Sequence, residues 1–305
     1  MKVLTWVIDP TSYGSRRDEP GRFWLMSTES RTMALGVVAQ QGNKRAQRLA
    51  AELVETFQQE DLPIQLDAVT GEAIGESGTP VSSLASCPLV TSIGGDGTFL
   101  FTARMVGDTP IVGVNLGEVG FLNAVKPVDA TALLPELYRD AVAGTLSMKS
   151  LSRIVARGDD WETEPALNEI LIHAPRRGAG SQLSLTISVN GAEYTSDIAD
   201  GVLVSTPTGS SAYNLSEGGP LVSPGVPALI ITEMSGFDPM PPLVVSADAT
   251  VAVELSGDGD ALIISDGRER EAITLPTTVT LTQADEPVHM AGPAVEFFQA
   301  IEKLE

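Results

Sequence analysis

The sequence predicts an α/β part followed by an all-β part, and three patterns in the chain lead to this prediction. From Met33 to about residue 143, short apolar runs alternate with segments of helical spacing, the pattern of parallel βαβ units. From about residue 144 the hydrophobic period becomes two, which is typical of strands joined by hairpins. Glycine-rich turns follow two apolar runs of the first part, at the positions where open α/β sheets bind ligands.

The first part is predicted to alternate strands and helices along its length. A buried-strand pattern at 34–39 precedes a helix in which apolar residues recur at helical spacing from Ala46 to Phe57. The further elements expected are a strand at 89–93, a helix at 99–106, a strand at 110–114 and a helix at 132–142. We therefore expect a parallel sheet with helices on both faces.

The second part is predicted to consist mainly of hairpins. Leu183–Val189 alternates apolar and polar residues, and the Asn190 and Gly191 that follow are preferred in two-residue hairpin turns. Further strand patterns lie at 250–255, 261–264 and 272–282. We expect an α/β domain over 33–143, a β-sandwich-like domain over 144–290, and a C-terminal helix within 291–305 that packs back on the first domain.

Residues 1–32 differ in character from the rest of the chain. They contain five basic and four acidic side chains, and the stretch from Tyr13 to Arg22 is rich in Gly, Pro and charge. At Met33 the character changes to an apolar strand pattern. Our hypothesis is that the natural start is Met33 and that 1–32 is a disordered extension or a wrongly assigned start.

Net charge is the strongest signal in the composition. The chain has 40 acidic residues against 19 basic ones, a formal net charge of −21. Such a surface repels nucleic acid and anionic membranes, so neither is expected as a partner. Only five of the basic residues are Lys, and the acid is spread along the chain. This favours adaptation to a salt-rich cytoplasm, where salt screens the repulsion, over an ordinary acidic enzyme.

The cysteine content and hydropathy indicate a cytoplasmic protein. The single cysteine, Cys87, cannot form an internal disulfide, and no Cys/His cluster has the spacing of a metal site. No apolar run approaches the roughly 18 to 20 residues that a membrane-spanning helix needs. No metal site made of protein ligands is therefore predicted.

The sequence GGDGT at residues 94–98 lies between a predicted strand and a predicted helix. Its three glycines let backbone N–H groups approach an anion and allow positive φ, and a helix starting just after it adds a positive N-terminal end. Asp96 would repel phosphate unless it binds Mg²⁺ or takes a proton from a substrate hydroxyl. The alternative is a glycine-rich turn in which Asp96 caps the helix.

Three further stretches carry polar groups suited to a nucleoside. Residues 115–122 form a second glycine turn at the end of a strand. Residues 200–220 form a strand running into a loop rich in hydroxyls, glycine and one tyrosine, which offers hydrogen bonds and a ring face. Asn168 and Glu169 place an amide beside a carboxylate, although a turn-capping Asn next to a solvated Glu is the alternative.

Taken together, these four stretches resemble, in order, the signature stretches of the NAD kinase family. The resemblance covers roughly residues 33–290, and the loop TPTGSSAY at 206–213 is its most specific element. It implies a Rossmann-like α/β N-terminal domain, a β-rich C-terminal domain and a homodimer or homotetramer. It also implies transfer of the ATP γ-phosphoryl, with Mg²⁺ or another divalent cation, to the 2′-hydroxyl of the adenosine ribose of NAD.

The resemblance implies a role for each matching residue. Asp96 would orient and deprotonate the ribose hydroxyl. The phosphate pocket would be shaped by Gly94, Gly95, Gly97 and Thr98. NAD would be held by Phe121 near the adenine, Asn168, Glu169, Asp200, Ser211, Ala212, Tyr213, Asn214 and Ser216.

Several features leave alternatives open. Arg268 stands where the family often has Gln or Asn, and it could bind phosphate, pair with an acid or do neither. Arg176 is a phosphate candidate or a solvated loop arginine. The stretch 232–242 lacks a His and an Arg that many members carry, and Ser211 replaces a Thr. The donor, ATP or polyphosphate, stays open, as do a kinase for a lipid or sugar hydroxyl and a non-catalytic dinucleotide sensor.

Overall fold

The computed structural model describes residues 33–117, 120–175, 182–269 and 272–293, together with residue 301. The predicted extension at 1–32 lies outside these residues, and the predicted helix within 291–305 falls almost entirely outside them. Among the helices that are described, none combines the length and hydrophobicity needed to cross a membrane.

The first part of the chain alternates strands and helices, as the sequence predicts. Its elements are β1 (Leu35–Ala39), α1 (Lys44–Gln59), β2 (Ile64–Asp67), α2 (Ala68–Ile74), β3 (Gly78–Thr79), β4 (Leu89–Gly94), α3 (Asp96–Val106), β5 (Ile111–Asn115), α4 (Ala130–Ala143) and β6 (Met148–Leu151). Short 3₁₀ turns lie at Val81–Ser86 and Pro127–Asp129. Asn43 begins α1 by accepting hydrogen bonds from the N–H groups of Arg45 and Ala46, so a side chain replaces the missing helical partner.

The second part is made of strands and short turns. Its elements are β7 (Ile154–Arg157), β8 (Glu169–His173), β9 (Leu183–Val189), β10 (Ala192–Ala199), β11 (Gly201–Ser205), a 3₁₀ turn (Thr208–Ser211), α5 (Tyr213–Ser216), β12 (Ala228–Met234), β13 (Leu243–Ser246), β14 (Val251–Ser256), β15 (Asp260–Ser265), β16 (Arg268–Glu269), β17 (Ile273–Thr274), β18 (Thr277–Gln283) and β19 (Val288–Ala291). The predicted hairpin turn joins β9 to β10, with Asn190 and Gly191 at φ 50° and 80°, the positive values that such turns require.

The sheet of the first part has the order β3-β2-β1-β4-β5-β19-β6. Strands β3 to β5 are parallel, β19 is parallel to β5, and β6 is antiparallel to β19. The chain runs from β1 outward to β3 on one side, and from β4 to β5 on the other. The topological switch point, where doubly wound sheets bind ligands, therefore lies between the carboxyl ends of β1 and β4.

The second part is a sandwich of two antiparallel sheets with a shared core. One sheet has the order β10-β9-β14-β18-β7, and the other β13-β12-β11-β8-β15-β16. Apolar residues of both sheets meet in one buried cluster that includes Ile172, Val204, Ile187 and Val253. The α/β and β-rich architecture expected from the sequence is confirmed.

The chain crosses between the two parts twice, and the two crossings are bonded to each other. One crossing joins β6 to β7 and the other joins β18 to β19. In the first crossing, the carbonyl of Arg153 accepts the N–H of Ala284 at 2.8 Å. The Nε of Arg153 donates to the carbonyl of Glu286, in the second crossing, at 2.7 Å. Arg153 is 6% exposed, and its guanidinium also pairs with the Glu286 carboxylate at 3.6 Å.

Candidate functional site

The GGDGT motif forms the junction between β4 and α3. Strand β4 ends at Gly94 and helix α3 begins at Asp96. The helix was expected to start after the motif, but it starts inside it. The acid at the first helical position faces the positive end of the helix dipole, which stabilises it there. The N–H groups of the first helical turn therefore belong to the motif itself.

The glycines of the motif allow close packing at one position and leave the backbone bare at two others, and they do not adopt unusual dihedral angles. None of Gly94, Gly95 and Gly97, all of which the structure describes, has positive φ, so that part of the prediction is wrong. A Cβ on Gly94 would lie 2.8 Å from the Cβ of Thr98, whereas one on Gly95 or Gly97 would meet nothing within 4 Å. The bare backbone at these two glycines borders an open crevice.

This crevice has a volume of about 460 Å³ and lies at the switch point of the sheet. It is lined by Val38, Ala39, Gln40, Gln41, Asp67, Val69, Val81, Gly95, Gly97, Thr98, Phe101 and Arg268. The lining combines apolar side chains with the start of a helix, which suits a ligand with a flat apolar part and a phosphate.

The Asp96 carboxylate points away from the crevice, toward the second glycine turn. Its Oδ2 accepts the N–H of Phe121 at 3.0 Å, and its Oδ1 accepts the N–H of Leu122 at 3.3 Å and the side-chain amide of Asn123 at 2.7 Å. These three donors fix the carboxylate at one orientation. Gly120 allows this contact, because a Cβ there would lie 2.7 Å from Cγ of Asp96.

Phe121 and Leu122 lie near residues 206–220 of the second part, which we call the long loop. Together with Thr208 of that loop and Leu151, they line a small cavity of about 20 Å³. The structure therefore places Asp96 between two regions, the crevice on one side and the long loop on the other. The expected contact between Phe121 and the adenine stays a prediction.

Glu169 is a buried acid beside another acid. Its side chain is 9% exposed, and among the described residues its Oε2 has no hydrogen-bond partner. Burial, and then the negative charge of Asp266, raise the pKa of Glu169 to about 8, although the N–H of Tyr213 donates to the carboxyl group and lowers it. Glu169 is thus a largely protonated carboxylic acid near neutral pH, able to donate a hydrogen bond as well as accept one.

The long loop packs against the segment that carries Asn168 and Glu169. Gly209 lies against the backbone of Asn168, where a Cβ would come within 2.7 Å of the Asn168 Cα. Ser211 and Ala212 are partly buried at the start of α5 and Ser216 is exposed. Tyr213 packs against the buried cluster of Leu171, Leu203 and Met234.

Asn214, which the sequence assigns to ligand binding, is buried within the loop. It is 0% exposed, and its amide donates to the carbonyls of Ser210 at 3.2 Å and Pro220 at 3.0 Å. Its Oδ1 accepts the hydroxyl of Thr232 at 2.9 Å. In this structure the Asn214 side chain therefore holds the loop together.

One predicted residue, Asp200, lies far from Glu169. Asp200 precedes β11, in which Gly201 pairs with His173 while Ser205 pairs with Glu169. Asp200 therefore lies at the opposite end of the strand from Glu169, about 14 Å or more away at strand spacing. Arg176 lies outside the described residues.

Arg268 is exposed at the mouth of the crevice, and both Arg268 and Arg104 place their guanidinium groups over the ring of Phe101. Cζ of Arg268 lies 6.0 Å from the centroid of the Phe101 ring, and Cζ of Arg104 lies 5.8 Å from it. Both distances are in the range of cation–π contacts. Arg104 also pairs with Glu164 at 3.3 Å, which links α3 to the second part.

Asn123, Arg104 and Asp266 were not predicted from the sequence. Asn123 and Arg104 act on partners far along the chain, and no local pattern marks them. Asp266 followed by Gly267 is a signal for a hairpin turn, and this signal could have drawn attention to Asp266.

The sheet switch point, the helix that begins at Asp96 and the crevice beside them suit a nucleotide-binding phosphotransferase. Comparison with known families agrees: residues 24–142 match the ATP-NAD kinase N-terminal domain and residues 167–292 match the ATP-NAD kinase C-terminal domain. The chain belongs to the ATP-NAD kinase family, and the resemblance seen in the sequence is confirmed.

Curated relatives and solved structures are similar over nearly the whole chain. The NAD kinase of Halobacterium salinarum is 48% identical over 90% of this chain and 100% of that protein. The NAD kinase of Halorubrum lacusprofundi is 47% identical over 89% of this chain and 100% of that protein. The crystal structure of an NAD kinase from Archaeoglobus fulgidus in complex with ATP has a TM-score of 0.70 and 23% identity, covering 89% of this chain and 98% of that one. The haloarchaeal relatives fit the acidic composition.

Proposed function

We propose that this chain is an NAD kinase that transfers the γ-phosphoryl group of ATP to the 2′-hydroxyl of the adenosine ribose of NAD, forming NADP and ADP. The observation that carries the proposal is the position of Asp96, at the start of α3 between the crevice and the long loop. Relatives at 45% to 48% identity named NAD kinase support it.

In this proposal Asp96 is the general base. The ribose oxygen forms a bond to the γ-phosphorus while the bond to the β-phosphate oxygen breaks, and the hydroxyl proton passes to the Asp96 carboxylate. Phosphoryl transfer needs little covalent work from the protein beyond such positioning. Three donors hold the carboxylate, and a carboxylate has about four lone-pair sites, so one stays available for the substrate hydroxyl.

Two regions are proposed to hold the two substrates. The crevice takes the ATP, with its phosphates at Gly94, Gly95, Gly97 and Thr98 and with Arg268 at the mouth. The apolar crevice wall supports a nucleotide donor over polyphosphate, because polyphosphate has no apolar part. The long loop takes NAD, with Glu169 and Asn168 on the ribose and the segment 211–216 beside the base.

Magnesium, or another divalent cation, is proposed to accompany ATP. Among the described residues no group of three His, Cys, Asp or Glu side chains could hold a metal ion. This fits Mg²⁺, which prefers substrate phosphates with only one or two carboxylates. The cation would be held mainly by phosphate oxygens and water, and it would neutralise phosphate charge.

A homodimer or homotetramer in the cytoplasm is also proposed. Asp200 is a predicted NAD contact, yet it lies at the opposite end of β11 from Glu169. Close to it are two exposed apolar side chains, Ile198 and Phe237, which are 51% and 89% exposed. A second copy seated there would cover the apolar side chains and bring Asp200 to the partner's site.

The test is NADP formation from NAD, ATP and Mg²⁺ at low and at molar KCl, with the Asp96→Asn variant alongside. The wild-type protein should turn over, and the variant should lose about 10²- to 10⁴-fold in kcat, the usual contribution of a general base, while still binding NAD. Tight NAD binding without any turnover would instead indicate a dinucleotide sensor. Turnover of a lipid or sugar hydroxyl in place of NAD would indicate a different acceptor.

A further inference from the structure

Two residues bind every main-chain polar group of the segment 167–169. Asp266 Oδ2 accepts the N–H of Leu167 at 2.7 Å, and Oδ1 accepts the N–H groups of Asn168 at 2.8 Å and Glu169 at 3.2 Å. The N–H of Asp266 donates to the Glu169 carbonyl at 3.1 Å. Thr206 completes the set, because its N–H donates to the Asn168 carbonyl at 2.8 Å and its hydroxyl to the Leu167 carbonyl.

The turn that contains Asp266 does not by itself need a carboxylate. Asp266 and Gly267 join β15 to β16 with φ of 46° and 73°, the conformation of a hairpin turn that favours Asn and Gly as well as Asp. An Asn at 266 would make the same turn, but its amide has one acceptor oxygen and two donor hydrogens. Only a carboxylate can accept all three N–H groups.

We propose that Asp266 is a positioning residue for the acceptor substrate: it fixes the backbone of 167–169 so that the Asn168 and Glu169 side chains are held ready for the ribose of NAD. The proposal rests on the function proposed above. Asp266 does not itself touch the substrate. It acts through Asn168 and Glu169, with Thr206 as its partner on the other side of the segment.

The surroundings of Asp266 agree with this role. Leu167 is 2% exposed and packs in the same buried cluster as Phe99 of α3 and Leu122 of the second glycine turn. The segment is thus anchored by its apolar residue next to the elements that carry and hold Asp96. Burial raises the pKa of Asp266, while its three backbone donors and the charge of Arg104 lower it, so the ionised form depends on these contacts.

The test is the variant Asp266→Asn, compared with wild type in steady-state kinetics and in NAD binding by calorimetry without ATP. We expect the KM and Kd for NAD to rise about 10- to 100-fold, as for loss of one charge-assisted hydrogen bond. The kcat and the KM for ATP should stay within about threefold. In a Glu169→Gln background the same change should cost NAD affinity less, because the two residues act through one segment.

The matched control is Asp258→Asn, which makes the same charge change at an exposed position in the turn between β14 and β15 and should leave all constants unchanged. A folded Asp266→Asn protein with wild-type NAD affinity would overturn the proposal, as would a loss of kcat alone or full additivity with Glu169→Gln. If Asp266→Asn does not fold, Thr206→Val removes the hydroxyl but keeps the backbone N–H, and unchanged NAD affinity there would overturn it.

Failure of this proposal and failure of the proposed function give different results. A wild-type protein that binds NAD but forms no NADP removes the kinase function, while the calorimetric comparison still tests Asp266. A wild-type protein that forms NADP, paired with an Asp266→Asn protein of equal NAD affinity, removes only the positioning role.

Discussion

The substitution Gly120→Ala should inactivate the protein without unfolding it, because the new methyl group would occupy space that the Asp96 carboxylate fills. An ideal Cβ at Gly120 lies 2.7 Å from Cγ and 2.8 Å from Oδ2 of Asp96, whereas real Cβ atoms essentially never approach another atom within 3.0 Å, and ordinary contact begins at 3.4 Å. The carboxylate, or the turn that holds it, must therefore move by roughly 0.5 to 1 Å. A displacement of that size at a reacting group costs about 10²-fold in rate.

The assay is kcat for NADP formation, with a thermal melt on the same samples. We expect kcat to fall about 100-fold and the free energy of unfolding to fall by about 1 to 3 kcal/mol, the cost of weakening one of the three hydrogen bonds to Asp96. Gly225→Ala is the matched control, because a Cβ at Gly225 meets nothing within 4 Å. A Gly120→Ala protein with kcat within threefold of wild type would refute the reasoning that the orientation of Asp96 limits turnover.

Three other predictions concern stability. Asn214→Ala should lower the free energy of unfolding by about 2 to 4 kcal/mol in a denaturant titration, because it leaves buried partners unsatisfied; a loss below about 0.5 kcal/mol would show that the amide is not holding the loop. The pKa of Glu169 is raised from 4.5 to about 8, so its stabilising contribution is complete below pH 4.5 and is lost as pH rises through about 8. Relative to Glu169→Gln, wild-type stability should therefore fall across that window by at most about 5 kcal/mol, and parallel pH profiles would contradict this. With a net charge of −21, the melting temperature should rise by about 10 °C or more from low to molar KCl, and a flat profile would indicate an ordinary acidic protein.

Local features of the fold could be predicted because neighbouring residues determine them. The hairpin at Asn190 and Gly191 and the strands before GGDGT follow from turn chemistry and hydrophobic period. Helix α3 was expected to begin at Phe99, but it begins at Asp96, because the acid suits the helix N-terminus and Gly97 is tolerated there. Strands β6 and β19 join the first sheet through pairings that no local pattern reveals.

The site could be predicted by residue type but not by side-chain direction. The motif correctly marked the junction at Asp96, yet the donors that hold its carboxylate come from residues 121–123, a turn 25 or more positions away. Asn214 has the polarity of a ligand contact, and the structure shows its side chain buried within its own loop, which the sequence does not reveal. Asp266 acts on a segment about 100 positions earlier, and only the packing of β8 beside β15 brings them together.

The two chain crossings beside Arg153 join the α/β part to the sandwich at two points in the chain. Because the connectors run side by side and are bonded through Arg153, the sandwich is attached by a two-stranded ribbon and not by a single flexible linker. Because β19 lies between β5 and β6 in the first sheet, loss of the chain after β18 would remove an inner strand of that sheet and leave the edges of β5 and β6 unpaired.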